Sequence, residues 1–426
     1  MTERNHDRET GRVTVPDDRR VVITGIGAIT PIGDSAEGLW AGVRAGQSAV
    51  RTISRFDASP FPSHVAAEVA FDPLDHMTEK RSRRLDRFSQ FAVVAAQQAL
   101  ADAGLTAEGI SAEGAGIYVG SALGGIAFAE EQHEAYVRKG VHGVNPMLAL
   151  SVFGGAAASN VTIELGLNGP SLSNGNSCAS GMIAIGEAAR LIRDGRVDVM
   201  LAGGAEAPLA PLTFGAFAMI RVISTRNGEP ETASRPFDKG RDGFVIAEGA
   251  AVLALESLSH ARARGARIYA ELLGYGTSSD GHHMTAPRPD GAQAAHAMTL
   301  ALADAGLAPD EIDYVNAHGS STVLNDPTEC QAIRLALGDQ ADRISVSGTK
   351  GLHGHALGAT GAMETAICAM ALQRGHLPGT ANLVDRDPAC DLDIVPPGGR
   401  DEQVTTLLNN AFGFGGINAS LAMRAI

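Results

Sequence analysis

The chain has 426 residues and carries 34 Lys and Arg against 48 Asp and Glu, a formal balance of −14. An acidic chain of this size argues against nucleic acid as its main partner, because duplex binding draws on clustered positive charge. The longest charge-free stretches, Val141–Ile163 and Leu165–Gly186, are interrupted by Gly, Asn, Ser and Pro, so neither supplies the ~20 mostly apolar residues of a membrane span.

The first twenty residues hold ten charged ones and no apolar segment, which reads as a flexible tail at 1–20 and not as a secretory signal. Order is expected from Val21-Val22-Ile23, a buried strand entering a Gly-rich turn at Thr24-Gly25. Arg87–Ala103 carries apolar residues at 88, 91, 92, 95, 96, 99 and 100, one helical stripe that Gly104 ends. Ala179–Arg193 is a small-residue helix stopped at Asp194-Gly195, and Val197–Ala202 is a strand leading to a turn at Gly203-Gly204. Near the start of the second half, Tyr269–Leu273 repeats the pattern before Gly274-Tyr275-Gly276. Helices are expected at Pro327–Leu337 and Gly361–Gln373, and a last strand at Thr405–Asn409 before Gly413–Gly416. Strands alternating with helices imply an α/β architecture, and the paired runs hint at an internal duplication with its junction near residue 260. A core made with 51 Gly, one Trp, five Tyr and 13 Phe is one of close backbone approach, and 44% hydrophobic residues exclude disorder for the body of the chain.

Four cysteines without a CxxC pair give neither a disulfide framework nor a zinc site, and the expected compartment is the reducing cytoplasm. Cys330 and Cys368 fall in helical patterns and Cys390 in an acidic loop, where structural roles are expected. Cys178 stands just before the helix at Ala179. There the macrodipole favours thiolate and would lower its pKa below the ~8.5 of a free thiol. A buried structural cysteine is the competing reading. His318, in Val315-Asn-Ala-His-Gly319, sits where a strand breaks into a turn, a usual place for active groups in α/β sheets. Lys350, His353 and His355 fall within six residues among glycines. No carboxylate or cysteine is spaced to complete a metal site with them, so no metal is expected. Cys178 with these histidines would supply a nucleophile and neutral donors, as acyl transfer through a thioester needs. Asn409–Asn418 reads as a flexible Gly/Phe loop forming a hydrophobic lid, or as a tight turn between strands.

The order Cys178, Asn-Ala-His-Gly-Ser-Ser-Thr (316–322), Thr-Lys-x-x-x-Gly-His-x-x-Gly-Ala-x-Gly-Ala-x-Glu (349–364) and Phe-Gly-Phe-Gly-Gly-x-Asn (412–418) resembles the elongating β-ketoacyl-[acyl-carrier-protein] synthases, from about Val21 to Ile426. The resemblance implies a thiolase-like duplicated five-layer αβαβα core, with an N-terminal half at 21–260 and a C-terminal half at 261–426. It implies that Cys178 takes an acyl chain, that the backbone amides of Cys178 and Phe414 form an oxyanion hole, and that His318 and His355 act on malonyl-carrier protein. Lys350 and Glu364 would hold this network in register. Leu123, Phe217, Phe412, Phe414 and His353 are expected at the substrate pocket or its gate, and Lys80, Arg81, Arg84 and Arg221 at the acyl carrier protein. The basic run Lys80–Arg87 would steer that acidic partner. No cofactor of the chain's own is implied, since the carrier protein brings the 4'-phosphopantetheine. The assembly would be a homodimer, or a heterodimer with a chain-length-factor-like subunit. The sequence departs from the family at Asn174, Asn176 and Ser177 ahead of the nucleophile, and at Ser320 and His353 where Thr is usual, which suggests a specialised acyl or extender preference. A CoA-dependent thiolase would need a second cysteine in 409–418, which is absent. An initiating synthase would carry Asn for one histidine, and a non-catalytic partner subunit would lack Cys178.

Overall fold

The computed structural model describes residues 17–426. The strands that matter are β1 (Val21–Ile29), β2 (Gly116–Gly120), β3 (Ser171–Asn174), β4 (Val199–Glu206), β5 (Gly249–Ser257) and β6 (Ala270–Ser279). They continue with β7 (Tyr314–Asn316), β8 (Ser345–Ser347), β9 (Asp393–Ile394), β10 (Thr406–Gly413) and β11 (Ile417–Arg424). They form one sheet in the order β9-β8-β7-β10-β11-β6-β1-β5-β4-β2-β3.

The duplication is visible in this order. From the centre outward one half runs β1-β5-β4-β2-β3, with two antiparallel pairings followed by two parallel ones. The other runs β6-β11-β10-β7-β8 with the same sequence of polarities. The halves meet antiparallel over the short contact of Val21–Ile23 with Ala270–Leu272.

The helices occupy three layers. On the outer face of the first half-sheet lie α1 (Arg87–Ala103) and α2 (Ala156–Leu165), sharing one apolar cluster with β2 and β4 residues. Between the half-sheets lie α3 (Ser180–Arg193) and, after α4 (Pro211–Met219), α5 (Ala292–Ala305) and α6 (Asn325–Leu337), the helix α7 (Thr360–Arg374). Met182, Ile185, Met363 and Ile367 of α3 and α7 belong to the largest core. Helices α5 and α6 cover the far face of the second half-sheet. This is the thiolase-like five-layer arrangement.

The helices match their expected spans within a residue or two. Gly104 closes α1 in the left-handed conformation at φ 67°, as its sequence position predicts. The strands run longer than expected. Thr24-Gly25, Gly203-Gly204 and Gly274-Tyr275-Gly276 are strand interior, not turns. The reason is helix approach: a Cβ at Gly25 or Gly27 would stand 2.2 or 1.8 Å from the Ala99 or Ala95 carbonyl of α1. Gly274 and Gly276 meet α5 in the same way, each 2.2 Å from a carbonyl, of Ala301 and Ala297. The glycine-rich core is therefore a device for seating helices on strands.

Two further expectations are corrected. Order begins before Val21: Asp17–Arg19 forms a short turn, and Arg19 and Arg20 pair with Asp198 and Glu271 at 2.9 and 2.6 Å. Residues 1–16 of the expected tail lie outside the described residues. Asn409–Asn418 is a β-hairpin and not a flexible loop, with Asn409–Gly413 paired residue by residue to Ile417–Leu421 and only 414–416 forming the turn. No helix of the described residues is long and apolar enough to cross a membrane. The charge-poor stretch 141–163 is buried only in part: Ala156, Ala157, Ala158 and Val161 are buried, whereas Val141, Leu150, Phe153 and Ile163 are exposed.

Candidate active site

The nucleophile position is built by a strained turn. Strand β3 ends at Asn174, and Ser177–Ala179 form a 3-10 turn feeding α3. Ser177 holds φ at 52°, a region that L-residues rarely occupy. Asn174 braces it: its Oδ1 accepts from the Asn176 N–H at 3.3 Å, and its Nδ2 donates to the Ser180 carbonyl at 3.1 Å. The second half repeats the motif. Leu357–Ala359 forms a 3-10 turn before α7, and Leu357 holds φ at 41°. The two turns thus bring Cys178 and His355 to the same inner region.

Cys178, His318, His355, Phe412 and Phe414 line one cavity of ≈ 190 Å³, whose wall also includes Arg221, Ser320, Thr322 and Phe244. The His318 and His355 rings stand 5.3 Å apart at 80°, and Phe244 packs edge-on to His355 at 5.2 Å. Hairpin β10–β11 presses against the nucleophile so closely that a Cβ at Gly413 would lie 3.0 Å from the Ser177 Cβ and 3.1 Å from the Cys178 N. Backbone hydrogen bonds from Phe414 and from Cys178 itself lower the thiol's pKa, as does Lys350, but burial dominates and pushes it up to about 12. Burial thus works against the expected thiolate.

The imidazoles are held neutral. Burial is the largest cause for both, and the Lys350 charge adds to it; each pKa falls well below the usual histidine value. Nδ1 of His355 lies 3.0 Å from the Thr360 hydroxyl, which can donate to it and leave the proton on Nε2. His318 is fixed through its backbone: Glu329 Oε1 accepts from the His318 N–H at 2.7 Å and Oε2 from the Gly319 N–H at 2.8 Å. Lys350 Nζ donates to the His318 carbonyl and to Glu364 Oε1, the latter at 2.7 Å, and neither side chain of that ion pair is exposed. Thr349 bonds the same Glu364 oxygen at 3.1 Å. Burial pushes both Glu329 and Glu364 up to about 7, against the donors that favour their charged forms.

Other expected positions fall elsewhere. Leu123 and Phe217 belong to the apolar cluster that contains Cys178 and Phe214, beside the cavity and not in its lining. His353 is corrected from a pocket or gate position: it is fully buried behind the lining, with Nε2 3.0 Å from the Thr349 hydroxyl. In the basic run, Arg81 pairs with Glu164 at 3.0 Å and Arg83 with Glu79 at 2.5 Å, while Arg87 turns inward to Glu248 at 2.7 Å. Lys80 and Arg84 remain exposed and, among the described residues, carry no ion pair. Cys330, Cys368 and Cys390 are buried free thiols. The sequence reading passed over Glu329 and Thr360. Glu329 had one available signal, an acidic residue on the apolar side of α6 beside Cys330 and Ile333, both of them buried.

Residues 18–261 match the model described as "Beta-ketoacyl synthase, N-terminal domain", and 269–384 the one described as "Beta-ketoacyl synthase, C-terminal domain". A 3-oxoacyl-[acyl-carrier-protein] synthase 2 of Coxiella burnetii is 44% identical over 409 residues, covering 96% of this chain and 99% of that protein. The Synechocystis protein of the same name is 44% identical over 407 residues, 95% and 98% of the two chains. Among solved structures, the ishigamide ketosynthase/chain length factor has a TM-score of 0.89 at 37% identity, covering 96% of this chain and 100% of that one. A type II polyketide ketosynthase in complex with its acyl-carrier protein has a TM-score of 0.88 at 35% identity, with the same coverage. With both family models matched and relatives aligned over nearly their whole length, the chain belongs to the β-ketoacyl synthase family.

Proposed function

We propose that this protein is an elongating β-ketoacyl-[acyl-carrier-protein] synthase, joining an acyl group to the two-carbon unit of malonyl-carrier protein. The carrying observation is that Cys178, both neutral imidazoles and the Phe414 backbone share one cavity. Cys178 Sγ attacks the acyl thioester, and a C–S bond forms as the pantetheine C–S bond breaks. The thiol proton leaves with the pantetheine sulfur. The Cys178 and Phe414 amides face the oxygen that gains charge, which is a large catalytic term in a dry site. Because the thiol is buried and un-ionised, its proton departs during attack and not before it.

Malonyl-carrier protein then enters, its carboxylate C–C bond breaks and CO₂ leaves. The electron pair forms an enolate whose oxygen accepts from Nε2–H of His318 and His355. Neutral donors suit this step: each keeps its proton and stabilises charge without quenching the nucleophilic carbon. That carbon attacks the acyl-cysteine, and the Cys178 thiolate leaves and is reprotonated. Lys350 and Glu364 hold the His318 carbonyl, and so the ring, in register. Phe412 and Phe414 act as the gate, and Leu123 and Phe217, packed beside the cavity in the apolar cluster around Cys178, serve the acyl side.

The partner in this reading is an acyl carrier protein, whose phosphopantetheine enters past Arg221 and the Ser320 and Thr322 hydroxyls; Lys80, Arg81 and Arg84 serve its acidic surface. The chain needs no cofactor of its own and works in the cytoplasm, as two halves, 21–260 and 261–426. The exposed edge strand β3 and the apolar residues Phe153, Ile163 and Leu172 suit a second subunit. That subunit is a copy of the chain or a chain-length factor, the latter supported by the likeness to the ishigamide complex. Asn174 and Asn176 beside the nucleophile support a specialised fatty acid or polyketide pathway. Incubation with acyl- and malonyl-carrier proteins, followed by mass analysis of the Cys178 peptide, tests the reading. Acyl mass on Cys178 is expected, and its absence, or its persistence in Cys178→Ala, refutes it. Sizing with and without a co-expressed partner separates the two assemblies.

A further inference from the structure

His353 lies at the end of a short helix, Lys350–His353, with no exposed surface. Its Nε2 is 3.0 Å from Thr349 Oγ1, which is itself 3.1 Å from Glu364 Oε1. That oxygen also accepts from Lys350 Nζ at 2.7 Å, and Nζ donates on to the carbonyl of His318. Thr349 has one hydroxyl proton to give. Were Nε2 unprotonated, that proton would turn toward the ring, and a lone pair of Thr349 would face a carboxylate oxygen across a buried gap. Were Nε2–H the donor, every contact in the chain would join a donor to an acceptor, running His353 to Thr349 to Glu364, with Lys350 spanning Glu364 and His318. The second arrangement leaves His353 Nδ1 as a lone pair, which is consistent with Nδ1 being buried without a well-aligned partner, while the Gly354 backbone also approaches the ring and favours its protonated form against burial.

We propose that His353 is a positioning residue for the condensation step: by donating from Nε2 it turns the Thr349 hydroxyl onto Glu364, and so holds Lys350 against the His318 carbonyl. The inference rests on the role given above to His318. It follows from the order of donors and acceptors, which makes His353 the fixed end of the chain. Burial and the Lys350 charge hold the ring neutral, with its pKa lowered to about 3, so it has one ring proton to place. Besides Thr349 and Lys350, the groups facing Glu364 are Tyr314 on β7 and Cys368 one turn along α7, and burial pushes both of these well above their ordinary values. Neither supplies positive charge, so loss of the Thr349 donor leaves Lys350 as the remaining support for the carboxylate.

The test compares His353→Leu with His353→Gln, whose amide N–H can still donate. Two rates are read for each protein over pH 5.5–8.5: CO₂ release from malonyl-carrier protein and acylation of Cys178. His353→Leu is expected to lower CO₂ release by about tenfold or more, to raise the pH of its acid limb, and to leave acylation within about threefold; Gln should recover most of the loss. Unchanged CO₂ release in the Leu variant, or a Gln variant no better than Leu, overturns the proposal. If wild type is never acylated at Cys178, it is the underlying reading that fails. Should the Leu variant not fold, Thr349→Val against Thr349→Ser repeats the comparison: the inference requires that Val lose CO₂ release and Ser keep it, and equal rates overturn it.

Discussion

Glu329 offers a sharp check on how His318 is held. Its buried carboxylate receives four donors: the His318 amide at 2.7 Å and Asn410 Nδ2 at 3.3 Å on Oε1, and the Gly319 amide at 2.8 Å and Asn325 Nδ2 at 3.4 Å on Oε2. Glu329→Gln keeps the shape and replaces one oxygen by an NH₂ group. Whichever way the amide turns, one backbone N–H of the His318-Gly319 pair then faces a donor. An orphaned buried amide costs about 1–3 kcal/mol, and about 1.36 kcal/mol is a decade in rate. If the backbone relieves the clash by moving the imidazole, decarboxylation falls on the order of 10- to 100-fold. The fold survives, since ~5–15 kcal/mol is available to a typical domain. The assay is CO₂ release from malonyl-carrier protein beside the rate of Cys178 acylation, with acylation expected to stay within about threefold. Equal losses in both rates, or full decarboxylation in a folded Gln variant, would refute the reasoning that Glu329 acts through His318.

Three other outcomes follow from the structure. Gly27→Ala places a Cβ 1.8 Å from the Ala95 carbonyl, so strand and helix must separate; denaturant unfolding is expected to show a loss of about 1–3 kcal/mol or more, and an unchanged midpoint would refute the close-seating account. Because the pKa values of His318 and His355 are lowered in the fold, both rings should stay neutral from pH 8 down through 6.5 in nitrogen NMR, and an imidazolium signal near 6.5 would contradict this. The sign for stability is the same: below pH 6.5 the unfolded chain takes up protons that the buried rings refuse, so their contribution is present above 6.5 and lost as pH falls. Reversing Lys80 and Arg84 to Glu should raise the KM for the carrier protein in low salt and leave Cys178 alkylation by a small reagent unchanged. A salt-independent KM would remove these residues from the docking surface.

Much of the architecture was legible because local rules settle it. The stripe of α1 and its Gly104 stop, the small-residue helix behind Cys178 and the starts of the strands follow from periodicity and caps, which act over a few residues. The strand ends did not follow, because glycine marks both a turn and a close approach. Whether Gly25 bends the chain or admits α1 depends on a helix more than sixty residues away. For the same reason the Gly/Phe run read as a loop, although its partners Ile417–Leu421 make it a hairpin.

At the site, Cys178, His318, Lys350, His355 and Glu364 were picked out as expected site residues by the motifs that resemble the β-ketoacyl synthases. Tertiary structure decided their chemical states. The position of Cys178 at a helix start argues for a thiolate, but burial is a property of everything packed around it, and it pushes the thiol up to about 12. Glu329 became significant only when α6 carried it under the amides of His318 and Gly319, and His353 moved from the pocket to the far end of a buried hydrogen-bond chain. The acidic balance and the glycine count are sequence properties. Where the free positive charges remain, and which glycines admit a helix, were decided by folding, because pairing and close approach join residues far apart in the chain.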